Sequence, residues 1–270
     1  MSPTYQCIKL LDDKTFIYND GISNVIQYVF HYDIKSAAPR ILKELNIDLP
    51  NNFKDKLERN VYVGNLFKQN RELYKLYDEK LRYYVKSFLQ VNQVSDDDII
   101  AIERDGIYTT KYCTEYDNEI YPELREFYHY FIISYKSNRQ FMMITDEKVK
   151  VKGIKNKTLN LEKFLTDNLL ALRYNDIKNW NSMLNEMRIK YFNSTDLNLF
   201  LVKIDDNNYK LYLSDDKKHS HQSKIYSIDI KKKYLSSFSR NQNIYSKIAK
   251  FYYYSIQIET FIQSILTYIL

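Results

Sequence analysis

Val29, Phe30, Tyr32 and Ile34 make an apolar and aromatic run that suits a buried strand, and the run closes on a carboxylate, Asp33. A turn and a helix should follow. Ser36 is placed to cap that helix, and Pro39 is tolerated in a first turn, where its missing N–H costs little. Ile41, Leu42, Leu45 and Ile47 then recur with helical spacing up to Leu49-Pro50. Beyond Asn51-Asn52, the residues Leu57, Val61, Leu66, Leu73, Leu76, Leu81, Val85, Phe88 and Leu89 recur every three or four positions. That stretch is long for one globular helix, and a break is expected near Val63-Gly64-Asn65. Residues 99–111 carry two β-rich runs around Glu103-Arg104-Asp105-Gly106, a hairpin signal with Asp-Gly at the bend.

The flanking segments are read the same way. Residues 5–18 suggest a hairpin about Asp12-Asp13-Lys14, Asn19-Asp20-Gly21 a turn, and 22–29 a short helix. Residues 112–126 form a polar connection with a short helix. A second hairpin spans 127–135 and 139–145, and a strand spans 149–154. Residues 159–187 are expected to be helical, 197–204 and 209–213 a hairpin, 225–230 a strand, and 244–270 a closing helix. The fold class is therefore α+β: an antiparallel sheet with packed helices over residues 1–157, then a smaller α+β region over 158–270.

Composition narrows the class. A chain of 270 residues can bury a sizeable core, in one large domain or two small ones. The formal charge of +6, from 40 basic and 34 acidic residues, is compatible with nucleic acid. Cys7 and Cys113 are too few and too far apart for a disulfide framework or a cysteine zinc site, which points to a reducing, cytoplasmic setting. The first residues lack a basic region followed by an apolar run, so no secretory signal is expected. Residues 254–270 are apolar but interrupted by Gln257, Glu259 and Gln263, and read as an amphipathic helix, not a membrane anchor. The 27 tyrosines against 4 glycines and 4 prolines suggest a low-GC genome, such as that of a virus or phage.

Asp33 and Asp105 are the candidates for chemistry. Each is expected at the edge of a strand, and they stand 72 positions apart, which leaves room for helices packed beneath a sheet. Two such carboxylates are what two-metal phosphoryl transfer requires, with ions about 3.5–4 Å apart. Mg²⁺ or Mn²⁺ would suit, because hard ions accept carboxylate oxygens and complete their shells with water and phosphate. For an isolated Asp-Gly, a simple turn aspartate is the competing explanation.

The segment Asp33-Ile34-Lys35-Ser36-Ala37-Ala38-Pro39-Arg40 resembles motif A of family B DNA polymerases, Asp-x-x-Ser-Leu-Tyr-Pro-Ser. Glu103-Arg104-Asp105-Gly106 is similar to motif C, with Asp105 in place of the second, metal-binding aspartate. Between them, Lys56-Leu57-Glu58-Arg59-Asn60-Val61-Tyr62-Val63-Gly64 resembles motif B, with Lys, Asn and Gly in register. Arg139-Gln140-Phe141 and residues 148–154 are similar to the Lys-x-Tyr and Lys-Gly strands that follow. The resemblance covers about residues 25–160 and implies a palm-type sheet with reduced fingers. It implies that Asp33 and Asp105, with the Ile34 carbonyl, hold the metal ions. Lys56 and Arg59 would meet the triphosphate, and Asn60 and Gly64 the nascent pair. Arg139, Lys150, Lys152 and Lys155 would track primer or template phosphates.

The departures also speak. The family's motif A tyrosine excludes a 2′-hydroxyl, and Ala38 stands there instead, which implies tolerance of ribonucleotides. Only 32 residues precede Asp33, too few for the family's exonuclease domain. Arg104 beside Asp105 would either dock a phosphate or quench the site. The expected activity is that of a template-directed nucleotidyltransferase of primase-like or ribonucleotide-tolerant kind. Its partners would be primer–template or single-stranded template, nucleoside triphosphates and further replication or transcription subunits, with no membrane. The alternatives are a catalytically degenerate palm serving as an assembly subunit, and an unrelated DNA-binding protein. Lys56, Arg59 and Lys68 have a plainer explanation as the solvated face of a helix. Tyr252-Tyr253-Tyr254 reads as core before base-stacking platform, and His219-Ser220-His221 as a surface loop before a metal site.

Overall fold

The computed structural model describes residues 7–135, 137–154, 160–175, 179–193, 196, 199, 201–203, 208–214, 221–227, 261–262 and 264–266. In chain order the elements are α1 (Cys7–Leu10), β1 (Phe16–Tyr18), β2 (Val25–Ile34), α2 (Ala37–Glu44), α3 (Lys56–Gln69), α4 (Arg71–Val91), β3 (Ile99–Glu103) and β4 (Gly106–Thr109). There follow β5 (Pro122–Ser134), β6 (Ser137–Ile144), β7 (Val149–Lys152), α5 (Leu161–Leu169), α6 (Trp180–Asn193), β8 (Leu201–Lys203), β9 (Asn208–Ser214) and β10 (His221–Ser227). Strands β1-β3-β4-β2-β5-β6-β7 form a seven-stranded sheet, and β10-β9-β8 a small one. The fold is α+β, with antiparallel pairing and packed helices, as the alternation of patterns predicts.

The chain divides into two compact units, one of Met1–Ile22 with Tyr28–Phe127, the other of Ser23–Gln27 with Tyr128–Leu270. This division falls earlier in the chain than residue 157. The core of the first unit follows from period. Tyr32 and Ile34 alternate on β2, and Leu81, Tyr84, Val85, Phe88 and Leu89 make one stripe of α4; with Ile102 and Ile107 they pack into one buried cluster. A smaller cluster of Leu42, Val63 and Leu73, with Ala38 and Phe67 against it, ties α2, α3 and α4 together.

Several local expectations change. Residues 22–29 are not helical: β-branched Val25, Ile26 and Val29 enter β2 and are buried there. The long helical stretch breaks at Asn70, not at Gly64. The Asn70 side chain accepts a hydrogen bond from Leu73 N at 3.0 Å, a local cap that competes with a continuous helix. Residues 7–10 are helical rather than a strand. The stretch 112–126 holds no helix, and β5 begins within it at Pro122. Residues 159–187 are interrupted by a 3₁₀ turn at Leu170–Tyr174. Of the expected closing helix, 261–262 and 264–266 are described and helical; the remainder lies outside the described residues. Among the described residues no helix is long and apolar enough to cross a membrane.

The second unit packs β6, β7, α5 and α6 around Trp180, which is fully buried and meets Tyr130 edge-on at 4.6 Å. Gly153 ends β7 with φ +78, and a Cβ there would lie 2.0 Å from the Arg139 carbonyl oxygen. Left-handed φ and a backbone clash act together, so Gly153→Ala should cost about 2 kcal/mol or more, read as a lower urea midpoint at unchanged slope.

Candidate active site

Register places the carboxylates. Asp33 on β2 faces Gly106 on β4, and Gly106 faces Glu103 on β3, which in turn faces Phe16 on β1. Paired residues share a sheet face, so Phe16, Glu103, Gly106 and Asp33 form one row. Tyr32 and Ile34, the neighbours of Asp33 on β2, point to the opposite, helix-covered face. The β3–β4 bend is Arg104-Asp105, and Gly106 is already the first residue of β4. Of the two bend residues only Arg104 has positive φ, at 61°, the pattern of a type II′ turn. A left-handed arginine costs about 1–3 kcal/mol. It is held there by its N–H, which donates to Thr15 O at 2.6 Å, and by Phe16, whose ring lies 5.5 Å from the guanidinium.

Because Asp33 pairs with Gly106, this bend sets Asp105 beside the end of β2, and both carboxylates line the same cavity. Burial pushes the Asp105 carboxyl up to about 6, and the Asp33 charge adds to the rise, with partial relief from Arg104. The folded state therefore holds a proton that the unfolded state has already released. The associated stability is complete below about pH 4 and disappears as pH rises through about 6. Metal-free protein should accordingly lose stability between pH 4 and pH 7 in urea titrations, and Asp105→Asn should flatten that slope. Asp33 also has a cationic neighbour: Arg125 on β5 approaches it at 3.8 Å.

Above the carboxylates lies a cavity of about 790 Å³, within the range of small-ligand sites. One wall is α3. Its N-terminus is fixed by Asp55, whose side chain accepts from Glu58 N at 2.8 Å, while Glu58 accepts from Lys54 N at 2.7 Å. From that start, Lys56, Arg59, Asn60, Val63, Gly64 and Phe67 recur at three and four, so one helix face lines the cavity. Tyr74, Tyr77 and Asp78 of α4 continue the wall, and the turn from Asp33 to Pro39 closes the other side. In that turn Ser36 has φ 54 and makes no side-chain cap, contrary to its expected capping role. Burial first, and then the Asp105 charge, hold the Tyr77 phenol above its ordinary range, so it stays protonated.

The cavity is cationic. Lys56, Arg59, Lys68 and Arg71 come from the helices, and Lys35, Arg104 and Arg125 from the sheet side; Asp33, Asp78 and Asp105 oppose them. Arg59 has a buried Nε with no hydrogen-bond partner among the described residues. The donor set fits a hard divalent ion held jointly with a substrate. Among the described residues no three His, Cys, Asp or Glu converge, so the two carboxylates would share the ion with water and phosphate oxygens.

Asp33, Ile34, Ala38, Lys56, Arg59, Asn60, Gly64 and Asp105, all singled out from sequence, line this one cavity. Arg139, Lys150 and Lys152 belong to the other unit. Lys150 and Lys152 lie on the β7 face opposite Val149 and Val151, which enter the core. Lys155, Tyr252-Tyr253-Tyr254, His219 and Ser220 lie outside the described residues. Sequence reasoning missed Arg71, Tyr74, Tyr77 and Arg125. Arg71 and Tyr74 follow an unrecognised cap at Asn70, and Arg125 sits in a strand first taken for a polar connection. No protein-family model matches the chain, and no curated protein matches it.

Proposed function

We propose that the protein is a template-directed nucleotidyltransferase with a family-B-like palm. The observation that carries this reading is that Asp33, paired with Gly106, and Asp105, the residue before Gly106, line one cavity together with the Lys56, Arg59, Asn60 and Gly64 face of α3. Strands β2, β3 and β4 are neighbours, which an unrelated fold with a chance motif would not require.

On this reading a primer 3′-oxygen attacks the α-phosphorus of a nucleoside triphosphate. A new P–O bond forms, the bridging bond to the β-phosphate breaks, and pyrophosphate leaves. Mg²⁺ or Mn²⁺ at the carboxylate pair would favour the attacking alkoxide and neutralise the leaving group. Asp33 and Asp105, helped by the Ile34 carbonyl, would hold the ions. Lys56 and Arg59 would take the β- and γ-phosphates as fixed cations, the Arg59 guanidinium with more directional hydrogen bonds than the Lys56 ammonium. Asn60 and Gly64 would border the nascent pair, where a Cβ added at 64 would meet nothing within 4 Å. Ala38 would leave the sugar edge open. Arg139, Lys150, Lys152 and Lys155 would track the nucleic-acid backbone. We place the activity in the cytoplasm, that of the host if the chain is viral, alongside other replication or transcription subunits; free, buried Cys7 and Cys113 agree with a reducing compartment.

A second reading keeps the fold and drops the chemistry. Glu103, where the resemblance expects the first motif C aspartate, accepts a hydrogen bond from Tyr18 at 3.0 Å, and Asp33 is paired with Arg125. A palm retired to an assembly role would show both. The test offers primed and unprimed templates, Mg²⁺ or Mn²⁺, and all eight ribo- and deoxyribonucleoside triphosphates to the purified protein. Metal-dependent extension supports the enzyme; template binding without any incorporation supports the assembly subunit.

A further inference from the structure

We infer that Arg125 is a built-in counter-ion for the carboxylate pair, so that the cavity takes up a polyphosphate anion before it takes up a divalent cation. The inference rests on the nucleotidyltransferase reading and adds an order of assembly and a residue to it.

The geometry is direct. Arg125 Nε lies 3.8 Å from an Asp33 carboxylate oxygen, and both side chains line the cavity. The guanidinium thus competes with a metal ion for the charge of Asp33. Its strand position keeps it there: β5 runs from Pro122 to Ser134, and the backbone that carries Arg125 belongs to the sheet rather than to a loop. On the other bank Arg104 is held beside Asp105 by its own backbone hydrogen bond to Thr15 and by the ring of Phe16. A lone divalent cation would enter a chamber in which cations outnumber acids. A triphosphate meets the opposite field, to which the Arg59 guanidinium also contributes. Once phosphate oxygens arrive, Arg125 has a second acceptor of higher charge density and can release Asp33. The metal then enters a site whose electrostatic balance the anion has reversed. Arg125 is on this account a positioning residue that acts through Asp33.

Two binding measurements without catalysis test this. Mn²⁺ binding is followed by the electron paramagnetic resonance of free Mn²⁺, and tripolyphosphate binding by calorimetry in metal-free buffer. Wild-type protein should bind tripolyphosphate without metal, and in the presence of tripolyphosphate should lower free Mn²⁺ further than tripolyphosphate alone does. Arg125→Gln should bind Mn²⁺ alone about fivefold more tightly, the scale of a partly exposed ion pair, and tripolyphosphate about fivefold more weakly. Arg125→Lys, which keeps the charge, should fall between the two and guards against an effect of the Gln variant on folding. If Arg125→Gln and Arg125→Lys both leave the affinity for Mn²⁺ alone within a factor of two of wild type, the counter-ion role is overturned. If instead Asp105→Asn leaves Mn²⁺ binding unchanged in the presence of tripolyphosphate, the carboxylate-pair reading itself has failed, and the two failures are told apart.

Discussion

Asp105→Asn should abolish metal-dependent nucleotide incorporation, by about a thousandfold or more, while raising the unfolding temperature of the metal-free protein. The two effects share one cause. Asp105 sits at a strained bend, partly desolvated and in the same cavity lining as Asp33, whose charge opposes its own, so its charge is costly until a cation joins it. Removing that charge relieves the repulsion, and the asparagine keeps the shape and one acceptor oxygen. A relief of about 1 kcal/mol corresponds to a rise of about 2–4 °C for a chain of this size. The same change removes a hard ligand from a site that has only two among its described residues, and a thousandfold loss is about 4 kcal/mol of transition-state stabilisation. A purely structural aspartate would show the opposite pairing, with lower stability and little change in activity. Asp33→Asn should be as inactive but gain less stability, because Arg125 then loses its partner.

The second large effect is expected at Ala38. It lines the cavity beside Pro39 while its methyl group packs against the Leu42, Val63 and Leu73 cluster. At position 38 the side chain ends at Cβ. Ala38→Tyr should place a ring where the resemblance puts the sugar and cut ribonucleotide incorporation by about tenfold to a hundredfold relative to deoxyribonucleotides, about 1.4–2.8 kcal/mol of discrimination. Competition between one ribo- and one deoxyribonucleoside triphosphate on the same template measures it. Equal loss for both sugars would show instead that the ring blocks the cavity, and an unchanged ratio would place the sugar elsewhere.

How far this site was legible depends on the range of the forces that made each part. Asp33 and Asp105 could be found because local chemistry marks them, a carboxylate closing a β-rich run and a hairpin bend, whereas Lys56, Arg59, Asn60 and Gly64 were reached only through the resemblance to motif B, helical spacing alone giving a solvated face. The α+β class follows, like the two aspartates, from local signals. Where the chain was misread, a short-range signal was outvoted by packing or by a cap. Gly64 looked like a helix breaker, yet it lies inside α3 on the cavity side, and the break belongs to Asn70, whose side chain caps α4. Residues 22–29 looked helical, but their β-branched side chains continue β2. The Asp-Gly bend proved to be an Arg-Asp bend with Gly106 already paired to Asp33 and Glu103. That shift by one residue leaves Asp105 in the turn but brings Arg104 in beside it and hands Gly106 to β4. Arg125 was invisible for a different reason. Its pairing with Asp33 depends on sheet order, and no pattern within residues 112–126 announces which strand lies next to β2.

The central claim is that Asp33 and Asp105 form one metal-binding pair beneath a triphosphate. A crystal of the protein grown with Mn²⁺ and a non-hydrolysable nucleoside triphosphate tests it most directly, through the anomalous signal of manganese. The prediction is two peaks about 3.5–4 Å apart between the two carboxylates, with the triphosphate against Lys56 and Arg59. A triphosphate bound in this cavity with no manganese at the aspartates, or manganese and nucleotide together at another place on the chain, would contradict it.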